Sequence, residues 1–110
     1  MADIDAMNLL SISNTENSVY LEDDITELSV NTTIKKMVSI MENGNNRFMV
    51  LYIDSNGGSL SSGLKLMDFI KRCKIPVYTI SLNSAYGMGA YILASGHKKY
   101  MKKNSTMIIT

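Results

Sequence analysis

Two glycine-bearing stretches hold the residues whose types and spacing could do chemistry: Asp54-Ser55-Asn56-Gly57-Gly58-Ser59 and Ala85-Tyr86-Gly87-Met88-Gly89-Ala90. Each follows a short, strongly apolar run and opens into an apolar pattern of helical period. A strand that ends in a glycine turn and passes into a helix points bare backbone N–H groups at one spot. Two such turns from neighbouring strands make a cradle for a carbonyl oxygen or an oxyanion, the geometry that acyl transfer needs. The plainer use of Gly57-Gly58 is a tight strand-to-helix turn that only requires positive φ. Two other chemistries fail on spacing. Gly58 and Gly63 have the gap of a phosphate-binding loop, but Leu64 stands where its lysine is required. Asp54 and Asn56 begin like a calcium loop, but Gly58 fills the third ligand position and no glutamate closes it.

The first stretch resembles the Ser-Pro-Gly-Gly-Ser turn of the ClpP family, the proteolytic subunits of Clp proteases. The second is similar to that family's Ala-Ala-Ser-Met-Gly-Ala segment, whose serine is the nucleophile. The resemblance implies an oxyanion hole built by the N–H groups of Gly58 and Met88. It also puts Gly87 at the nucleophile position, where no hydroxyl is available. Asn104-Ser105-Thr106-Met107-Ile108-Ile109-Thr110 resembles the family's Asn-Ser-x-x-Met-Ile-His segment and puts Thr110 at the base. The acidic third member would lie beyond the C-terminus. Tyr52 matches an aromatic residue of the family's docking pocket for its ATPase; the alternative is an ordinary strand residue.

A serine hydrolase needs a hydroxyl at the exposed turn, an imidazole in hydrogen-bond reach and a group to orient that imidazole. Ser84 lies three residues before Gly87 and reads as a loop hydroxyl. His97 is the only histidine, and it follows the helix that starts near Gly87. About nine residues of helical rise, roughly 13 Å, separate the two. His97 therefore reads as a solvated side chain beside Lys98 and Lys99, not as a base for position 87.

The elements that must place these residues follow from the periodicities. Ser18-Val19-Tyr20-Leu21 reads as a short strand closed by the acidic turn Glu22-Asp23-Asp24. A helix is predicted over residues 31–42 with Asn31 as N-cap, since Ile34, Met37, Val38 and Met41 form one stripe. Residues 48–53 are continuously apolar, as a strand buried on both faces should be. Leu60, Leu64, Met67, Ile70 and Cys73 stripe a second helix ahead of Pro76. Residues 77–82 read as another buried strand, and 88–95 as a central helix ended by Gly96. Residues 98–102 and 106–109 read as two short strands.

This alternation argues for an α/β fold. The resemblance sharpens it to the ClpP/crotonase-like spiral of βαβ units, incomplete at the C-terminus because the chain stops on an apolar strand. Residues 1–17 are expected to be a flexible arm, and residues 18–110 one domain, read as a truncated one.

Composition narrows the function classes. A net charge of +1 from mixed signs gives no reason to expect nucleic acid or an anionic membrane as partner. No apolar stretch approaches the roughly 20 residues that span a bilayer. The start carries Asp3 and Asp5 where a signal peptide carries basic residues, and a lone cysteine, Cys73, suits a reducing compartment. These features point to the cytoplasm, and neither a cofactor nor a metal site is expected.

The resemblance implies hydrolysis of unfolded peptides inside a homo- or hetero-oligomeric ring, with an AAA+ ATPase as the unfolding partner. With Gly87 and Thr110 at the two key positions, this chain is expected to be catalytically inactive. Two other readings stand beside that one. The first is a non-catalytic, ClpR-like structural subunit of such a ring. The second is a crotonase-type acyl-CoA-binding protein, which shares the two-turn oxyanion hole.

Overall fold

Two neighbouring strands of a five-stranded parallel sheet lead into the two glycine turns, and the apolar runs that precede the turns are the reason these strands are buried. The computed structural model describes residues 16–102 and 104–109. Strand β1 (Ser18–Leu21) pairs with β2 (Met49–Ser55), β2 with β3 (Val77–Tyr86), and β3 with β4 (Lys98–Met101), all parallel. Strand β5 (Thr106–Ile108) also lies parallel to β3, beside its last residues. Helices α1 (Glu27–Asn43), α2 (Leu60–Arg72) and α3 (Met88–Ala94) supply the crossovers.

One core joins the helices to one sheet face. Val30, Met37, Ile40, Leu66, Ile70, Ile92 and Leu93 pack with Leu21, Met49, Leu51 and Ile53. A second cluster is made of strand and flanking residues: Val50, Tyr52 and Ile80, with Phe48, Tyr78, Leu82 and Tyr100 against them. Alternate residues of β2 thus enter different clusters, yet Met49, Val50, Leu51 and Ile53 are all fully buried. Burial on both faces is what the uninterrupted apolar run predicts.

Several element ends differ from the sequence reading. Helix α1 starts four residues earlier than predicted, capped by Thr26 and not by Asn31. Thr26 Oγ1 accepts from the Ser29 N–H at 3.0 Å, and Ser29 Oγ accepts from the Thr26 N–H at 2.9 Å. This reciprocal box satisfies two orphan donors, with serine in the place usually held by Glu or Gln. Asn31 instead accepts from Lys65 Nζ at 2.7 Å, tying α1 to α2. Gly44 ends α1 at φ +75°, a left-handed cap.

Strand β3 runs on to Tyr86, four residues past the predicted end, because β5 offers it a new partner after β4 stops. Helix α3 is capped by Ser95, whose Oγ donates to the Ile92 carbonyl, and not by Gly96. Gly96 is needed for another reason: a Cβ there would press into the Thr79 side chain. Asn17, expected in the loose arm, is buried, and its carbonyl accepts from the Val50 N–H at 2.9 Å. The rest of the expected arm, apart from Glu16, falls outside the described residues.

The α2 stripe is split between two roles. Leu66 and Ile70 are fully buried, whereas Leu60 and Leu64 are 65% and 51% exposed. The split makes a prediction that urea denaturation can check. Leu66→Ala should cost about 2–5 kcal/mol, and Leu64→Ala no more than about 0.5 kcal/mol. Equal losses would return Leu64 to the core. Among the described residues no helix is long and apolar enough to cross a membrane.

Candidate functional site

The first turn is shaped by the backbone of Ile25, a residue from the segment that leads into α1. The Ile25 N–H donates to the Gly57 carbonyl at 2.8 Å, and the Ile25 carbonyl accepts from the Ser59 N–H at 2.8 Å. Gly58 lies between these two bonds at φ +147°, and Gly57 stands at φ +108°. A Cβ on Gly58 would sit 2.8 Å from the Ile25 nitrogen and nearer still to its carbonyl oxygen. Only glycine fits. The Gly57 N–H donates back to Ser55 Oγ at 3.2 Å, which tightens the exit from β2.

The second turn is a sharp strand-to-helix elbow at Gly87, with φ +53° and ψ −122°. Its N–H donates to the Ile108 carbonyl of β5 at 2.9 Å. Its carbonyl accepts from the N–H groups of Ala90 at 3.0 Å and Tyr91 at 3.2 Å, opening α3. The next N–H groups, of Met88 and Gly89, belong to the first helical turn and have no intrahelical acceptor. An elbow of this type lifts whatever side chain it carries out of the sheet. Here it carries none.

The two turns touch. A Cβ on Gly57 would stand 3.1 Å from the Tyr86 carbonyl oxygen and 3.5 Å from the Met88 nitrogen. One on Gly89 would stand 3.0 Å from the Ser55 carbonyl oxygen. A cleft of about 530 Å³ opens over the contact, lined by Gly57, Gly58, Gly87 and Met88 together with Leu60, Leu64, Met67 and Tyr91. The exposed leucines of α2 are thus the apolar wall of the cleft. Sequence periodicity marked them as a stripe but gave no sign that the stripe faces a cleft and not the core.

A wider cleft of about 750 Å³ lies by the Glu22-Asp23-Asp24 turn and also takes in Asp54 and Ser84. Among the described residues, none of its carboxylates belongs to a cluster able to hold a metal ion. It offers charge without the two glycine turns, so the smaller cleft is the candidate site.

The remaining sequence candidates fall in three places. Ser84 is not on a loop: it belongs to β3, and its Oγ donates to Asp54 Oδ1 at 2.8 Å. His97 is exposed but not merely solvated, for its Nδ1 accepts from the Val77 N–H at 2.9 Å. It lies at the far end of α3 from Gly87, about 10 Å of helical rise away. Tyr52 is buried at 4% exposure, its ring stacked on Tyr20 with centroids 4.6 Å apart.

Thr110 lies outside the described residues. The segment before it is placed, since Tyr86↔Ile108 pairing brings the end of β5 beside Gly87. Cys73 is no substitute nucleophile. Burial pushes its thiol up to about 11, and Sγ donates to the Phe69 carbonyl at 3.2 Å. At neutral pH it stays protonated and inert.

Comparison with known proteins matches residues 2–110 to the family described as Clp protease. The ATP-dependent Clp protease proteolytic subunit 3, chloroplastic, of Arabidopsis thaliana is 31% identical over 97% of this chain and 34% of its own length. The ATP-dependent Clp protease proteolytic subunit of Borrelia garinii subsp. bavariensis is 34% identical over 76% of this chain and 43% of its own. Subunit 2 of Prochlorococcus marinus (strain MIT 9312) is 35% identical over 76% of this chain and 41% of its own. The chain therefore spans between about a third and two-fifths of these relatives.

Proposed function

Given that this chain belongs to the Clp protease family, we propose that it is a ClpP-type domain that keeps the peptide-binding cradle and has lost hydrolysis. Its place is in the cytoplasm, in a ring with catalytically complete ClpP-type subunits. The observation that carries this reading is Gly87: the elbow and its neighbouring glycine turn are intact, but the elbow presents no hydroxyl.

In this reading the N–H groups of Gly58 and Met88 donate to a peptide carbonyl oxygen at about 2.7–3.1 Å. Leu60, Leu64, Met67 and Tyr91 take an adjacent apolar side chain of an unfolded peptide. Hydrogen bonding to a carbonyl polarises it, but without an attacking oxygen the peptide bond stays whole. Tyr52, buried in the second cluster, supports by stacking the exposed ring of Tyr20, which offers a surface for an AAA+ ATPase partner. No cofactor takes part. The comparisons give the acyl-CoA reading no comparable support.

The test is co-expression with a catalytically complete Clp proteolytic subunit. The two should purify in one particle, and peptidase activity per particle should fall in proportion to the share of this chain. A chain that elutes apart and leaves the partner's rate unchanged would remove the proposal.

A further inference from the structure

Asp54 and Ser84 sit at the root of the two glycine turns, where the pairing of β2 and β3 breaks. The register runs from Met49↔Val77 to Ile53↔Ser81 and resumes at Ser55↔Ala85. One residue of β2, Asp54, thus stands opposite three of β3: Leu82, Asn83 and Ser84. The other side of β3 breaks at the same level. Strand β4 pairs only as far as Ser81↔Met101, and β5 takes over at Ser84↔Thr106. Leu82 and Asn83 therefore have no ladder partner on either side.

A bulge of this kind lets the offset between the two strands change, and past it β3 is held only by Ser55↔Ala85, by β5 and by side chains. The first tie past the break is a side-chain bond, Ser84 Oγ donating to Asp54 Oδ1 at 2.8 Å in a partly buried setting. Two residues beyond Ser84 lies Tyr86, whose carbonyl oxygen stands against Gly57, and next comes the elbow at Gly87. Three residues beyond Asp54 lies Gly57 itself. One clasp therefore stands behind both halves of the cradle.

We propose that Asp54 is a positioning residue: by accepting from Ser84 Oγ across the bulge, it sets how far the end of β3 advances past β2, and so the spacing of the Gly58 and Met88 N–H groups. The inference rests on the cradle reading above. A bond from a hydroxyl to a carboxylate is stronger than one between neutral groups, which suits it to fixing an offset that the single pair Ser55↔Ala85 otherwise carries on this side.

Hydrogen–deuterium exchange on the full chain, read by mass spectrometry, tests the clasp without any ligand. In Asp54→Ala and in Ser84→Ala, amides of residues 84–91 should exchange about tenfold faster or more. Those of residues 49–52 should keep their wild-type rates. Asp54→Asn retains an acceptor oxygen and should keep the wild-type pattern. The double variant should be no worse than either single one. Ser84→Ala carries the test by itself if Asp54→Ala does not fold.

Uniform acceleration across the chain, an unchanged 84–91 segment, or an Asn variant as disturbed as the Ala variant would each overturn the proposal. The cradle is read separately, as movement of the Gly58 and Met88 amide resonances on adding N-acetyl-leucine. Its carboxylate offers the acceptor and its side chain the apolar group. Silence in that arm with the expected exchange pattern overturns the cradle and leaves the clasp standing.

Discussion

Gly58→Ala should destabilise the fold by about 3 kcal/mol or more, the combined cost of overpacking and of a strained backbone. A methyl group at this position meets the Ile25 nitrogen at 2.8 Å and its carbonyl oxygen more closely still. Neither atom can yield, because Ile25 N–H and carbonyl are both engaged in 2.8 Å bonds to the turn. The residue also stands at φ +147°, which L side chains rarely adopt. For a domain of this size the loss corresponds to a fall in Tm of roughly 12 °C or more.

Gly44→Ala is the control, since Gly44 has φ +75° but nothing within 4 Å of its would-be Cβ. It carries strain without a clash and should cost about 1 kcal/mol. Thermal and urea unfolding of the two variants separate the terms. If both fell equally, the Ile25 backbone would not be pressed against the turn and the first half of the cradle would be loose.

The parts of the site legible in the sequence are those specified locally. The apolar run of β2 and the glycine pair after it need no distant partner to be read, and both stand where they were expected. The elbow at Gly87 is likewise a local matter of a strand run, a glycine and an apolar helix.

What escaped the sequence depends on residues far along the chain. Ile25 clamps Gly58 from more than thirty positions away, and its side chain is only one more apolar residue in a polar stretch. Asn83 and Ser84 read as loop residues past a strand that ends at residue 82. Their strand continues because Asp54 and β5 receive it. His97 beside two lysines reads as solvent-facing until folding brings the Val77 N–H to its ring. The early start of α1 had a local signal, Thr26-x-x-Ser29, masked by serine standing where Glu or Gln is usual.

The unmodified chain should take up no fluorophosphonate and should hydrolyse no peptide, because the elbow that presents a nucleophile in a serine hydrolase ends here in a hydrogen atom. Gly87→Ser should not restore activity. The new side chain would have to accept φ +53° and ψ −122°, a strain of order 1–3 kcal/mol. More important, its hydroxyl would have no base. The only imidazole, that of His97, lies at the other end of α3 with Nδ1 committed to the Val77 N–H. Thr110→His added to Gly87→Ser supplies an imidazole alone, and where a carboxylate to orient the imidazole is missing a serine protease loses about 10⁴-fold.

Residues 1–110 carrying both substitutions should therefore remain at least about 10⁴-fold below a complete triad, measured as kcat/KM on a short fluorogenic peptide. Mass-spectrometric mapping of probe adducts decides the matter for the natural sequence. Stoichiometric phosphonylation of any serine, Ser84 above all, would mean that a hydroxyl here is activated after all. The bond it now donates to Asp54 would then have to be read as a base's grip on a nucleophile and not as a clasp between strands.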